Sequence, residues 1–309
     1  MRLLLISDTH GHLDVIDPLA KASRADAVLH AGDFGFYDAE SADRIESREL
    51  FLRVVHSKLP PDVKQRAKKL KGDALRAFIR SELPLSDLGG WLQAGRGFSL
   101  PTFATWGNHE DGAVVANLLA ERQSVPNLTL LGTASFGPFR FFGLGGNLLP
   151  ELLGEDAPID EGRGKIQTAA REIAALLDAA PPRVAGEVRV LVTHVSPGKE
   201  PLVQLLASAL DVDLTVSGHM GSPYGWVWDD FAVRGATDAE NRLALAVAAL
   251  PEALRARLRV PSSGEGRASW YRGTFHVNLP DAPDGHAVVE LKDGRLRLET
   301  HSMGLPLRG

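Results

Sequence analysis

Five short apolar runs in the chain each end at a polar residue or a glycine. Continuous apolar runs that are bounded in this way predict strands buried on both faces, as in parallel sheets. The runs span residues 2–6, 27–30, 102–106, 188–193 and 213–217. In open α/β sheets, functional groups collect beyond the carboxyl ends of the strands. We therefore expect the polar residues after these runs to meet at one edge of the fold.

Between the runs, apolar residues recur every three or four positions, which predicts helices that pack on a sheet. The helical stretches span residues 14–23, 112–122 and 166–180. Four further stretches have the pattern of antiparallel or mixed strands and span residues 128–131, 139–144, 287–291 and 296–300. A turn at Gly137-Pro138 separates the first two, and Asp293-Gly294 predicts a hairpin between the last two. The whole pattern predicts an α/β fold with two facing sheets and helices outside.

Two segments carry helical patterns without strands, which is typical of insertions. Residues 38–98 have such patterns at 44–58 and 61–83, and residues 236–260 have one at 238–258. Each segment follows a predicted functional loop, so both are candidates for a cap that selects the substrate. Because the candidate functional residues run from position 8 to position 219, we expect residues 1–309 to form a single domain with these two insertions.

The second helical pattern of the first insertion is rich in basic residues. They are Lys64, Arg66, Lys68, Lys69, Lys71, Arg76 and Arg80. A run of this kind usually forms a solvated helix face. The functional alternative is a patch that follows the phosphates of a nucleic acid, and the orientation of the run decides between the two.

Composition excludes several classes of function. The formal net charge of −5 gives no general attraction to nucleic acids or anionic membranes. The chain has no cysteine, which excludes disulfides, thiolate nucleophiles and cysteine zinc sites. No segment approaches the roughly 18 apolar residues of a membrane span, and the first apolar run is too short for a signal peptide. We expect a cytoplasmic protein without a membrane partner.

Residues that can bind a metal ion or transfer a proton follow each of the five predicted strands. They are Asp8-Thr9-His10, Gly32-Asp33, Gly107-Asn108-His109-Glu110, His194 and Gly218-His219. Carboxylate, imidazole and amide oxygen together suit Mn, Fe, Zn or Co better than Ca or Mg alone. Asp33, in a tight turn after Gly32, is predicted to bridge two divalent ions. The predicted partners at the first ion are Asp8 and His10, and those at the second are Asn108, His194 and His219.

Two ions about 3.5–4 Å apart convert a shared water to hydroxide near neutral pH and hold the oxygens of a phosphoryl group. The expected reaction is in-line attack of this bridging hydroxide on the phosphorus of a phosphate ester. His109 directly follows a predicted ligand, so it is the candidate to stabilise charge or protonate the leaving oxygen, with Glu110 to orient it. His12 lies in the first loop and is a candidate substrate-binding residue, with a purely structural role as the alternative.

In this order the five blocks resemble the motif of the calcineurin-like metallophosphoesterase superfamily: D-x-H, G-D, G-N-H-D/E, H and G-H-x-H. The resemblance covers roughly residues 1–35, 100–150, 188–221 and 274–300. It implies a four-layer αββα sandwich of two mixed sheets with a dinuclear metal site, and we expect manganese. One position departs from the motif, because Gly221 stands where the superfamily usually has the last histidine. The resemblance therefore implies weaker binding of the first ion.

The residues after Asp33 exclude one branch of the superfamily. Phe34-Gly35-Phe36-Tyr37 replaces the x-x-D-R-G stretch of its Ser/Thr protein phosphatases, so that activity is not expected. These aromatic residues predict either a pocket that stacks a base or ordinary core packing.

The favoured function is hydrolysis of a phosphodiester, in a nucleotide or at a nucleic acid end, by a hydrolase with a dinuclear site. A phosphomonoesterase is one alternative. A nucleotide-binding or regulatory module with a weakened first metal site and little catalysis is another. A structural nucleic-acid-binding protein that uses the basic run is a third.

Overall fold

The computed structural model describes residues 1–57, 59–148, 153, 166–220, 236–258 and 274–302. Within these residues the strands are β1 Arg2–Ile6, β2 Ala27–Ala31, β3 Thr102–Thr105, β4 Leu128–Leu130, β5 Thr133–Phe136, β6 Phe139–Leu144, β7 Val188–Thr193, β8 Leu214–Ser217, β9 Phe275–Asn278, β10 Gly285–Lys292 and β11 Arg295–Ser302. The helices are α1 Ile16–Ala22, α2 Ser41–Arg44, α3 Ser47–His56, α4 Pro61–Ala67, α5 Gly72–Glu82, α6 Leu88–Ala94, α7 Gly112–Leu119, α8 Ala170–Ala179, α9 Pro201–Ala209, α10 Ala236–Ala249 and α11 Glu252–Arg257.

The strands form two mixed sheets. Sheet A has the order β11-β10-β1-β2-β3-β4, and sheet B has the order β5-β6-β7-β8-β9. In sheet A, β1 to β4 are parallel, whereas β10 and β11 form the predicted antiparallel hairpin. In sheet B, β6 to β9 are parallel and β5 is antiparallel to β6. The parallel strands of both sheets therefore end at loops that can carry functional residues.

Alternating side chains place the two sheets face to face. In β1, Leu3 and Leu5 belong to the core between the sheets, where they join Val190 and Val192 of β7. Leu4 and Ile6 point the other way and pack with residues of α1, α6 and α7. On the far side of sheet B, residues of α8, α9 and α10 form the third core. These layers confirm the predicted α/β fold with two mixed sheets and flanking helices.

The region from residue 128 to residue 144 differs from the prediction. The turn at Gly137-Pro138 joins β6 to β5, a strand that the sequence pattern does not predict, and β4 pairs with β3 in the other sheet. Two residues, Leu131 and Gly132, separate β4 from β5. The chain changes sheets within this short link, and because β5 is exposed or half-exposed, no apolar run in the sequence marks it as a strand.

The predicted long helices are each divided. The segment 61–83 forms α4 and α5, because Lys71 is extended and Gly72 has a φ of +52°. The segment 238–258 forms α10 and α11, which Pro251 separates because it cannot continue a helix. Helices α2, α3 and α5 share a hydrophobic cluster of their own, whereas α10 and α11 pack into the outer layer of sheet B.

The aromatic residues after Asp33 are core residues, which confirms ordinary core packing and rules out the alternative of a base-stacking pocket. Phe34 and Phe36 are fully buried and stack with ring centroids 4.5 Å apart. Tyr37 is also buried, and it packs in the cluster of α2, α3 and α5. Among the helices of the described residues, none is both long enough and apolar enough to cross a membrane.

Candidate active site

The loops that follow β1 and β2 run side by side. Three backbone N–H groups of the first loop, those of Asp8, His10 and Gly11, donate to carbonyl oxygens of the second at 2.8–2.9 Å. The loop after β3 joins them through Glu110, whose carboxylate accepts backbone N–H groups of residues 34, 35 and 36 at 2.7–3.0 Å. The three loops are thereby fixed relative to one another.

Four of the candidate ligands have left-handed backbone conformations. The φ angles are +54° at Asp8, +49° at His10, +47° at Asp33 and +62° at His219. Such angles are uncommon outside glycine and cost of order 1–3 kcal/mol each. Backbone strain of this kind concentrates at functional sites, where the surrounding structure holds the residue in place.

Two glycines allow the ligands to approach closely. A Cβ on Gly107 would collide with the Asp33 carboxylate, and a Cβ on Gly218 would collide with Asp8 and Ser7. The glycines of the G-N-H-E and G-H blocks are therefore required by the space around two carboxylates.

Asp8, His10 and Asp33 form what we term the first group. One ligand atom from each lies within 4.8 Å of those of the other two. Within it, His10 Nδ1 is 3.9 Å from Asp33 Oδ2. Asp8 and Asp33 are both buried. Burial raises the pKa of Asp8 well above its usual range, and repulsion by Asp33 adds to this effect.

Asn108, His194 and His219, with Asp33, form the second group. His194 Nε2 lies 3.0 Å from both Asn108 Oδ1 and His219 Nδ1, and 3.6 Å from Asp33 Oδ1. Burial lowers the pKa of His194, and it lowers the pKa of His219 to about 3. Both imidazoles are therefore neutral, which is the form that binds metals.

The donor chemistry of the second group fits a cation. His194 Nδ1 lies 3.0 Å from the carbonyl oxygen of Ala31, and it must donate there because a carbonyl only accepts. Nε2 therefore carries a lone pair, and it lies 3.0 Å from both the side-chain amide of Asn108 and Nδ1 of His219. A cation bound there would be coordinated by all three side chains. In the first group a cation would offset the repulsion between two buried carboxylates.

The structure thus brings together all six residues that the sequence predicts as metal ligands, in the two predicted groups around Asp33. His12 is half-buried in the same first loop, where its backbone N–H donates to Thr9 O at 3.0 Å. Gly221 lies outside the described residues.

Glu110 does not orient His109, contrary to the sequence prediction. Its carboxylate accepts hydrogen bonds from backbone N–H groups of the second and third loops. The residue that contacts the His109 ring is instead Glu49 of α3, whose Oε2 lies 2.6 Å from His109 Nδ1. Glu49 is buried. The backbone N–H of His109 donates to Asp33 Oδ1 at 3.0 Å, which ties the residue to both groups.

Helix α3 is therefore part of the site, as expected for the first insertion. Besides Glu49 it carries Arg53, whose guanidinium donates to the carbonyl oxygens of His10 and Leu85. Tyr37 OH donates to the carbonyl oxygen of His109. These contacts fix the segment 38–98 against the first and third loops.

The basic run is divided between cap contacts and solvent. Lys64 donates to Val55 O, Arg76 donates to Ala42 O, and Arg80 pairs with Asp43. The remaining members are exposed: Arg66, Lys68, Lys69 and Lys71. Three of the seven thus stabilise the first insertion itself, which favours the structural interpretation of the run.

Asp281 is a further acidic residue at the site that the sequence analysis misses. It lies in the loop after β9, and its Oδ2 is 3.9 Å from His10 Nε2. Burial raises the pKa of Asp281 to about 6, with Asp284 and Asp33 contributing by repulsion. The signal that could have found it is its place three residues beyond the end of a parallel strand.

In a comparison with known protein families, residues 1–223 match the family model for calcineurin-like phosphoesterase. This matched part contains all six candidate ligands, His109 and the whole of α3. A search of curated proteins found no match to the chain. On the family match, and with two mixed sheets whose loops bring together the expected donor groups, the chain belongs to the calcineurin-like phosphoesterase family, whose members are metal-dependent hydrolases.

Proposed function

We propose that this protein hydrolyses phosphodiesters, with a nucleotide or a nucleic acid end as substrate and two divalent ions, manganese in the first place, as cofactors. The observation that carries the proposal is the convergence of two donor groups on the single carboxylate of Asp33. Two neutral imidazoles, an amide oxygen and two carboxylates gathered around one point are a ligand set suited to two divalent ions.

The proposed ligands are those of the two groups: Asp8, His10 and Asp33 for the first ion, and Asn108, His194, His219 and Asp33 for the second. When bound, two such ions activate water for in-line attack on phosphorus and neutralise the charge of the phosphoryl oxygens. Backbone hydrogen bonds and left-handed backbone conformations fix the loops that carry these side chains.

His109 is the proposed general acid. Its Nδ1 is paired with the buried carboxylate of Glu49, which holds the ring in one orientation and stabilises its protonated form. Nε2, on the opposite side of the ring, donates the proton to the leaving oxygen. Glu49 is the positioning residue for this step, supplied by the first insertion.

Replacing Glu49 with glutamine is expected to lower kcat about 10- to 100-fold, since partners that orient a functional histidine have effects of this size. Binding of Mn²⁺ is expected to remain at two ions per chain, because Glu49 contacts His109 and not the donor groups. The check is kcat at saturating substrate together with the metal content. Glu46→Gln, an exposed change three residues earlier, is the matched control. Equal rates for both variants would contradict the role given to Glu49.

A diester preference is supported by His10, since diesterases of this superfamily carry the histidine of the D-x-H block, although many of its monoesterases carry it too. We expect the Mn²⁺-loaded protein to have a kcat/KM for bis-p-nitrophenyl phosphate about tenfold or more above that for p-nitrophenyl phosphate, a difference of about 1.4 kcal/mol. The reverse ratio would identify a phosphomonoesterase. If the Mn²⁺-loaded protein turned over neither compound, that result would count against both a phosphodiesterase and a phosphomonoesterase.

One observation favours a second candidate function. The first group offers three side chains and the second group four, so loss of the first ion would leave a nucleotide-binding or regulatory module with little catalysis. Metal analysis distinguishes the two functions. Two ions with rapid hydrolysis support the esterase, and one ion with slow turnover supports the module. The preference for manganese and the cytoplasmic location stay predictions.

A further inference from the structure

We propose that Asp281 is a positioning residue for the first ion, acting through His10. The inference rests on the proposed function, since it assigns a partner to one of the proposed ligands. Asp281 lies beyond residue 223, outside the part of the chain that matches the family model.

The His10 ring lies between two carboxylates. Nδ1 is 3.9 Å from Asp33 Oδ2, and Nε2 is 3.9 Å from Asp281 Oδ2. The two nitrogens of an imidazole point to opposite sides of the ring, so Nδ1 is the nitrogen that would bind an ion shared with Asp33. Nε2 would then carry the proton on the side of Asp281. A histidine that binds a metal almost always donates its other N–H to such an acceptor, which fixes the tautomer and makes the ligand more basic.

The loop after β9 holds Asp281 in this position. Leu279 N–H donates to Ser217 O at 2.7 Å, which attaches the loop to the end of β8. The carbonyl oxygen of Asp281 accepts the N–H groups of Asp284 at 2.8 Å and of Gly285 at 3.3 Å. Leu279 and Ala282 on either side are buried. The separation of 3.9 Å between His10 Nε2 and Asp281 Oδ2 exceeds a hydrogen bond and lies within the range of an ion pair.

Charge supports the same role. Asp281 is close enough to Asp8 and Asp33 for the three carboxylates to repel one another. Its side chain is 25% exposed, so this repulsion is only partly screened by water. A divalent ion in the first group converts the repulsion into attraction. Asp281 therefore adds negative charge beside the group that has fewer side-chain ligands, without belonging to the three residues whose ligand atoms lie together.

The test is a Mn²⁺ titration of the metal-stripped full chain, followed by electron paramagnetic resonance of the free ion. His10→Ala identifies which of the two dissociation constants belongs to the first ion. Asp281→Asn is expected to raise that constant about 10- to 100-fold and to leave the other unchanged. Asp293→Asn, which removes one negative charge at the exposed turn between β10 and β11, is expected to leave both within about twofold of wild type, because surface changes away from such contacts are near neutral.

A double variant tests the route through His10. If Asp281 acts mainly through the histidine, Asp281→Asn has a much smaller effect in a His10→Ala background than in wild type, since two residues of one network are not additive and only the charge effect is left. Additive losses, an unchanged first constant, or equal weakening of both sites in Asp281→Asn would each overturn the inference. If one of these results is found and the wild-type protein binds two ions, the inference fails but the proposed function is not contradicted. A wild type that binds no Mn²⁺ overturns both.

Discussion

Replacing Asp33 with asparagine is expected to lower kcat/KM on a phosphodiester by about 10³-fold or more, or about 4 kcal/mol of transition-state stabilisation. Asp33 faces both groups, with Oδ2 toward His10 and Oδ1 toward His194. Removing its charge weakens a ligand of both ions at once. Because loss of an outer partner alone costs 10- to 100-fold, loss of a shared ligand should cost more. Activity assays and metal analysis of the purified variant measure the two effects.

The variant should still fold. Asparagine has nearly the shape of aspartate and tolerates the φ of +47° that this position requires. The metal-free variant is therefore expected to unfold close to the temperature of the metal-free wild type. Asp14→Asn, at an exposed position after the first loop, is the matched control and should keep two ions and full activity. Two bound ions and wild-type turnover in Asp33→Asn would contradict the bridging role.

The second large effect is expected at His109. His109→Asn should lower kcat about 10²- to 10⁴-fold for a diester with an alkoxide leaving group, the range for loss of a general acid. The loss should be much smaller with p-nitrophenolate, which leaves without a proton. The metal content should remain at two ions, because the backbone N–H that contacts Asp33 is unchanged by the substitution. Turnover of the two substrates by wild type and variant gives the comparison.

The leaving-group dependence separates acid catalysis from a structural effect. His301→Asn, on the exposed face of β11, is a control that should keep the wild-type kcat with either substrate. An equal loss for both leaving groups in His109→Asn would show that His109 acts by positioning or by charge alone. Loss of an ion would show that it is a ligand.

The fold was predictable where strands are buried on both faces. Each residue of β7 is buried, so its sequence is a continuous apolar run apart from Arg189 and Thr193. The same rule fails for β5, whose residues are exposed or half-exposed, and for β9, where Phe275 is 67% exposed. The sequence pattern does not reveal helix α9, and the reason is the opposite one. It is buried on almost all sides and has no polar face to reveal the helical period.

The candidate site was predictable where its residues directly follow strands, because the topology then gathers them at one edge. Glu49 reaches His109 from 60 positions away on an amphipathic helix, where it is one acidic residue among several. Asp281 follows a strand that the pattern does not reveal. Glu110 shows the converse, since its position in the motif suggests chemistry while its carboxylate ties three loops together. Partners from distant elements depend on packing that local patterns do not encode.

Anomalous X-ray diffraction from crystals of the full chain soaked in Mn²⁺ tests the dinuclear site most directly. We expect two peaks about 3.5–4 Å apart, on either side of the Asp33 carboxylate, one beside Asp8 and His10 and the other beside Asn108, His194 and His219. A single peak, or peaks that do not contact Asp33, would contradict it.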